Sequence, residues 1–547
     1  MTNFESGNKR GMSRTIMPIV LALVLASGLF LGSRLNVPFI TQRSFLSPKT
    51  NNFNKFSDVL TYIQHEYVDT VDRDMLVDIS IEKMLQSLDP HSAYIRTEEL
   101  RAANEPLEGN FEGIGVEFHI QADTIMVVSP IAGGPSEAVG ILSGDRIVMV
   151  EDTLVAGVGI TNADVMQKLR GPGGTEVNVS IYRRSENELI DFIIKRGNIP
   201  IYSIDVAYMV NDSIGYIKIS RFAATTYDEF IESARQLENS GMKKLILDLR
   251  GNPGGYLDAA TKVSDEFLPA KKMIVYTEGK SRPKTTYNAT NEGSYESLPV
   301  VVLIDEGSAS ASEILAGAIQ DWDRGTIIGR RSFGKGLVQE QTLLPDGSAI
   351  RLTIARYYTP TGRSIQKPYS DDIEKYYNEL NDRLLNNELY SADSIHFPDS
   401  LKYRTPAGRI VYGGGGIMPD IFVPVDSSGR NNPFLVSIAR QGLVSQFAYN
   451  YVDANRQSLS KFENFNSFNK TFLVEGKVYN EFLSFVNSQE LVVVNEKKEE
   501  SKSILLNQLK AFIARQLFNN DGFYPILHQK DKGFQKALKS FIITTST

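Results

Sequence analysis

Gly307-Ser308-Ala309-Ser310-Ala311-Ser312-Glu313, followed by Phe333-Gly334-Lys335-Gly336-Leu337-Val338-Gln339, is the stretch on which the reading of this chain turns. Ahead of it, the apolar run Pro299-Val300-Val301-Val302-Leu303-Ile304 predicts a buried strand. After it, Glu313-Ile314-Leu315-Ala316-Gly317-Ala318-Ile319 predicts a helix. Only small residues separate the two, so Ser310 reads as a nucleophile on a tight strand-to-helix turn, with Lys335 placed to act as its base.

A serine hydroxyl is a poor nucleophile until a neighbour takes its proton, and the usual agent is histidine. The five histidines are His65, His91, His119, His396 and His528, and none falls between His119 and His396, where the serine and its flanking strands lie. A lysine can serve if burial disfavours its charged form. Lys335 suits that role: it lies between two glycines, just beyond the apolar Thr326-Ile327-Ile328-Gly329. Gln339 follows four residues later, able to orient the amine without adding charge. Each element also has an ordinary reading. Ser310-x-x-Glu313 is a capping box, and most lysines are solvated surface charges.

Together, with this spacing, the segments resemble the carboxy-terminal processing peptidases, also called tail-specific proteases. The resemblance extends to Asp248-Leu249-Arg250-Gly251-Asn252-Pro253-Gly254-Gly255, to Ala355 through Gln366, and to Gly415-Gly416-Ile417-Met418-Pro419-Asp420, so it runs from about Phe56 to Pro424. It implies Ser310 as nucleophile, Lys335 as general base and Gln339 as the residue completing the site. It also implies a crotonase-like protease core, in which Ser310 at a helix N-terminus faces Lys335 from a neighbouring strand.

Leu245-Ile246-Leu247-Asp248-Leu249 predicts a strand, and the Gly254-Gly255 turn after it leaves bare backbone N–H groups. With the amide of Ala311, at the first turn of a helix, Gly254 or Gly255 can form an oxyanion hole. The sequence leaves open which glycine donates.

Phe111-Glu112-Gly113-Ile114-Gly115-Val116-Glu117-Phe118-His119-Ile120 opens with a glycine-flanked loop and runs into a strand alternating Val116, Phe118 and Ile120. This pattern resembles the carboxylate-binding loop and groove strand of a PDZ domain, with Gly113, Ile114, Gly115 and Val116 as substrate-binding residues. Ile141 to Val150 resembles the next element, and Ala163 to Arg170 the groove helix. Such a groove adds an extended chain end to a sheet edge and holds its carboxylate on backbone N–H groups. The family also implies that an arginine ahead of a Gly-Pro segment carries groove occupancy to the protease core; here that is Arg170.

The chain has 547 residues, 42% apolar content and no cysteine, which excludes disulfides and thiolate chemistry. A net charge of −7, from 58 basic and 65 acidic residues, gives no reason to invoke nucleic acid. No metal site and no cofactor are expected. Lys9, Arg10 and Arg14 precede a charge-free segment from Thr15 to Ser33, the pattern of an export signal or a membrane anchor. An uncleaved anchor in the inner membrane is the expectation, with secretion after signal cleavage as the other outcome. Either way the enzyme works on the periplasmic side of a bacterial cell envelope.

The expected organisation is therefore a multidomain α/β protein. Residues 1–34 form the signal or anchor, 53–105 a helical N-terminal region, 106–197 the inserted β-rich PDZ domain, 198–428 the protease core and 429–547 a helical C-terminal domain. The core is completed by part of the N-terminal region. Phe56 to Arg101 reads as helical, His91 as structural, and Asp371 to Tyr403 as a charged surface excursion with a helix at Asp372 to Leu385. The C-terminal domain is expected to pack against a second copy or an adaptor. The function implied is a serine endopeptidase that cuts proteins near a free C-terminal tail under PDZ control. The rivals are a non-catalytic PDZ scaffold for envelope-protein tails, an acyl-CoA hydratase or isomerase on the same superfold, and a retinoid-binding relative of the core.

Overall fold

The computed structural model describes residues 55–369, 373–430, 432–489 and 497–543, with four isolated positions at 22, 24, 26 and 27. Apart from those four positions, the expected signal or anchor at residues 1–34 lies outside the described residues. Among those described, no helix is long and apolar enough to cross a membrane. Two compact units are present, residues 1–80 and 81–547. The described part of the first holds the helix Lys55–Glu66 and the start of the helix Arg73–Gln86.

The second unit is built on a six-stranded sheet in the order Ile204–Met209, Ile214–Ile219, Lys244–Asp248, Val300–Ile304, Thr326–Gly329, Ile421–Phe422. All neighbours after the first, antiparallel pair are parallel. A parallel sheet must be covered on both faces, which is why its strands read as unbroken apolar runs. Alternate residues serve opposite faces. Leu245, Leu247, Val300, Val302, Ile304 and Ile327 pack under the helices Thr226–Asn239, Leu257–Asp265 and Ala311–Asp321. Tyr216, Ile246, Val301, Leu303 and Ile328 meet Phe534, Ala537 and Phe541 of the C-terminal helix Lys532–Ile543. The last described helix is therefore part of the protease core.

A second, antiparallel sheet centres on the long strand Ala349–Tyr358, which pairs with Leu337–Leu343, Met273–Gly279 and Ala93–Ile95. Residues 93–95 correct the all-helical reading of Phe56 to Arg101, because Ala93 opposite Arg351 and Ile95 opposite Ala349 find ladder partners far along the chain. The helix Thr97–Glu108 follows.

The PDZ sheet holds Val116–Gln121, Thr124–Pro130, Arg146–Val150, Glu176–Tyr182 and Ile190–Lys195, with Asn162–Leu169 as the groove helix. The chain enters and leaves it side by side, since Asn110–Gly113 pairs antiparallel with Gly197–Pro200.

The segment 371–403 also departs from expectation. Tyr376 and Arg383, on the helix Ile373–Leu385, are buried. Glu379 pairs with Lys367 at 2.9 Å, Arg383 at 2.8 Å and Arg331 at 3.2 Å. Arg383 donates to the Ser332 carbonyl at 2.8 Å and the Phe333 carbonyl at 3.2 Å. Charges that read as solvated in sequence instead neutralise one another beneath the Lys335 loop.

Candidate active site

The loop after strand Val300–Ile304 explains the alternating serines. Ser308 and Ser312 are fully buried and structural: Ser308 Oγ donates to the Leu249 carbonyl at 2.8 Å and Ser312 Oγ to the Asn252 carbonyl at 3.0 Å. They lace the 305–312 loop to the 249–255 loop, helped by the Ala309 amide on the Asn252 carbonyl at 2.9 Å. Ser310 is half-exposed on the cleft, at φ 54° and ψ −112°. That backbone is costly for a residue with a Cβ, by about 1–3 kcal/mol, and persists because both flanks are pinned.

A cavity of about 440 Å³ brings together Ser310, Ala311, Gly254, Gly255, Lys335 and Gln339. Lys335 Nζ donates to Gln339 Oε1 at 2.8 Å, and Gln339 Nε2 donates to the His91 carbonyl at 2.5 Å, which fixes the amide's orientation. Among the described residues the amine makes no hydrogen bond to Ser310. Burial pulls the Lys335 pKa below the usual lysine range, and the Arg351 guanidinium pulls the same way against Asp89 and Glu313. The His91 ring, bonded to Tyr376 at 2.8 Å, is pushed down to about 4 by burial and by Lys335, and so stays neutral.

Two buried side chains that the sequence reading did not assign to the site hold both halves in register. Glu313 Oε2 accepts the Ser310 amide at 2.8 Å and the Lys335 amide at 2.9 Å, while Oε1 accepts Ser332 Oγ at 2.5 Å and the Gly334 amide at 2.7 Å. Burial raises its pKa to about 7, even though all four donors favour the carboxylate. The Tyr357 hydroxyl lies within bonding distance of the Ser310 carbonyl, at 3.0 Å, and the Lys335 carbonyl, at 2.5 Å. The only sequence signal for Glu313 was its place in a capping box; Tyr357 fell inside a resembling segment without a role.

The glycine loop is tight. A Cβ on Gly254, at φ 98°, would meet the Ala309 carbonyl oxygen at 2.7 Å and the Ala311 nitrogen at 2.9 Å. The Gly254 amide is used internally, donating to Asn252 Oδ1 at 2.8 Å. The amides of Gly255 and Ala311 donate to no other described residue.

In the PDZ domain, Ile114, Gly115, Val116, Phe118 and Val165 line a groove of about 110 Å³. The amides of Ile114 and Gly115 donate to no described residue. Gly113 packs with Phe111 and Arg170. The Arg170 guanidinium lies 4.6 Å from the Phe111 ring centroid and ion-pairs with the buried Glu105. Glu105 belongs to the helix Thr97–Glu108, whose Asn104 and Leu107 line the Ser310 cleft.

Comparison with known proteins agrees with this layout. Models of Peptidase family S41 match residues 213–375, a PDZ domain 113–194, the N-terminal domain of the activating protease CtpB 37–99, and a family of unknown function 434–519. A carboxy-terminal-processing protease of Bartonella bacilliformis is 36% identical over 352 residues, covering 63% of this chain and 80% of that protein. The carboxy-terminal processing protease CtpA of Bacillus subtilis is 36% identical over 350 residues, covering 64% and 74%. A solved photosystem II D1 C-terminal processing protease is 26% identical, covering 68% of this chain and 88% of its own, with a TM-score of 0.35. The chain belongs to the carboxy-terminal-processing proteases of peptidase family S41, and it is a serine-type peptidase with a PDZ domain.

Proposed function

We propose that this protein cleaves proteins near a free C-terminal tail with a Ser310–Lys335 dyad, the PDZ groove selecting the tail. The observation that carries the reading is the half-buried Lys335 amine, which among the described residues is hydrogen-bonded only to the neutral Gln339, in the cleft that holds Ser310. Neutral Lys335 takes the Ser310 proton as the oxygen attacks the scissile carbonyl, and returns it to the leaving amine. Water then attacks the acyl-enzyme through the same base. The amides of Gly255 and Ala311 receive the oxyanion; with the Gly254 amide held by Asn252, Gly255 is the better donor of the pair.

The tail's carboxylate is received by the amides of Ile114 and Gly115, with Gly113 and Val116 flanking them, and an apolar end enters beside Phe118. Arg170, through Glu105, links groove to cleft. The core is of the crotonase type, with domain limits near 34, 105, 197 and 428, and it is completed by the strand Ala93–Ile95 and the helix Lys532–Ile543 from outside those limits. A charge-free segment after Lys9, Arg10 and Arg14 supports an envelope location, anchored or secreted. The C-terminal helices are a candidate surface for a second copy or an adaptor.

The test is an unfolded reporter with a free apolar C-terminus, compared with its amidated twin, alongside fluorophosphonate labelling of Ser310. Faster cleavage of the free acid and labelling lost in Ser310→Ala are expected. Equal rates would remove the tail-reading role, and an unlabelled wild type would remove the nucleophile.

A further inference from the structure

Arg351 stands on the strand Ala349–Tyr358, whose Tyr357 reaches the Ser310 carbonyl, and it lines the same cavity as Ser310 and Lys335. Its partners differ from those of Arg363, Arg250 and Arg383, each of which meets a carboxylate. Arg363 meets Asp321 at 2.7 Å, Arg250 meets Asp248 at 2.6 Å and Arg383 meets Glu379 at 2.8 Å. Arg351 has only neutral partners: its Nη2 donates to Gln341 Oε1 at 2.8 Å and Asn104 Oδ1 at 3.2 Å. Among the described residues no carboxylate ion-pairs with it, and its Nε and Nη1 donate to none.

A half-buried guanidinium without a counterion keeps part of its desolvation cost, and burial accordingly pulls its pKa down. The two carboxamides hold Nη2 of a side chain that lines the cleft, and they leave Nε–H and Nη1–H unspent among the described residues. An unspent N–H on a charged guanidinium can donate one charge-assisted hydrogen bond to a carboxylate, which also supplies the missing counterion.

We propose that Arg351 is a substrate subsite that receives a carboxylate next to the scissile bond, supplied by an Asp or Glu side chain or by the α-carboxylate of the chain end. This rests on Ser310 and Lys335 performing the cleavage in this cleft. The subsite is separate from the PDZ groove: it reads the segment being cut, whereas the groove reads the tail that delivers it.

The same position gives Arg351 a second effect. The charged or titratable groups acting on Lys335 are Arg351, Asp89 and Glu313, with His91 close by and neutral. Arg351 disfavours the ammonium form of Lys335, so a carboxylate bound to Arg351 offsets part of that effect. The acid limb of kcat for an acidic substrate should then sit at higher pH than that for its neutral analogue.

The experiment uses the full chain and eight-residue peptides in matched sets, with Glu or Gln at each position flanking the scissile bond and with a free or amidated C-terminus. Wild type should prefer one carboxylate-bearing member by about tenfold or more in kcat/KM. The preferred member identifies side chain or chain end as the source. R351Q should bring that ratio to about one, and R351K should give an intermediate ratio, since it keeps the charge without the guanidinium's N–H positions. Absence of any carboxylate preference in wild type, or an unchanged preference in a folded R351Q, overturns the subsite. Fluorophosphonate labelling of Ser310 in each variant reports an intact cleft. Cleavage that persists in Ser310→Ala would instead overturn the dyad, whatever the peptide ratios.

Discussion

Glu313 and Lys335 are joined through the backbone: the Lys335 amide donates to Glu313 Oε2 at 2.9 Å, on the oxygen that also takes the Ser310 amide. The position of the candidate base relative to the candidate nucleophile is thus set by one buried carboxylate. Glu313→Gln puts an NH₂ group against donors it cannot accept from, at about 1–3 kcal/mol for each bond lost. A displacement near 1 Å costs about a hundredfold in rate. The expected result is a kcat reduced about a hundredfold or more with KM changed only a few-fold, measured on a neutral peptide. A variant that keeps kcat would show that the shared carboxylate does not set the geometry.

Ser310 lies in a backbone region that glycine tolerates and alanine does not. Ser310→Ala and Ser310→Gly should both be inactive, but the glycine variant should be the more stable by about 1–2 kcal/mol, because only it relieves the strained φ. Denaturant midpoints of the two variants decide. Equal midpoints would mean that the turn carries no strain. Lys335→Ala should be inactive too, with near-normal secondary structure by circular dichroism.

The parts of the site legible in sequence are those set by local spacing. Lys335 and Gln339 sit four residues apart, and their side chains meet at 2.8 Å. Ser310 follows an apolar strand whose end could be read directly. The residues missed act across long sequence distances. Asp89 accepts from the Thr353 hydroxyl at 3.1 Å, and the His91 carbonyl holds Gln339, yet nothing near residue 90 announces a partner more than 200 positions away. Charge misled in the same way. Glu379 and Arg383 read as part of a surface excursion because sequence gives the sign of each charge and not its neighbours. Strand Ala93–Ile95 is too short for a periodic signal, and only its register with Ala349–Arg351 creates it.

The pH dependence should separate activity from stability. Activity needs Glu313 ionised, to accept four donors, and Lys335 neutral, and both fail by gaining a proton as pH falls. Log(kcat/KM) should therefore rise with slope approaching two below both pKa values, one of them about 7. Stability runs the other way. The folded Glu313 pKa lies above its ordinary 4.5, so its contribution is fully present below about 4.5 and is lost as pH rises through about 7. The size is on the order of 3 kcal/mol. A limiting slope of one, with no loss of stability between pH 4.5 and 7, would assign the acid limb to a single group and remove Glu313 from it.

The C-terminal helices hold the back of the PDZ groove strand. Arg515 pairs with Glu117 at 2.9 Å, and the His119 ring stacks on Tyr449 with centroids 4.7 Å apart, while Val116 and Phe118 on the opposite face line the groove. Arg146, on the strand one beyond the groove strand's neighbour, pairs with Asp453 at 3.7 Å. The same helices reach the protease core through Arg250–Asp531 at 2.8 Å and Tyr208–His528 at 2.6 Å. They therefore tie the groove strand and the catalytic sheet to one body. Among the described residues neither His119 ring nitrogen has a hydrogen-bond partner, and burial lowers its pKa below 6.5, so protonation is disfavoured in the stacked state. Tyr449→Ala should raise hydrogen exchange across residues 116–121 while leaving strand Val300–Ile304 protected. In wild type the same exchange should increase as pH falls below about 6.5, after correction for intrinsic rates, because the neutral ring is the one that packs. Unchanged protection of 116–121 in Tyr449→Ala would mean that the groove strand is held by its own domain alone.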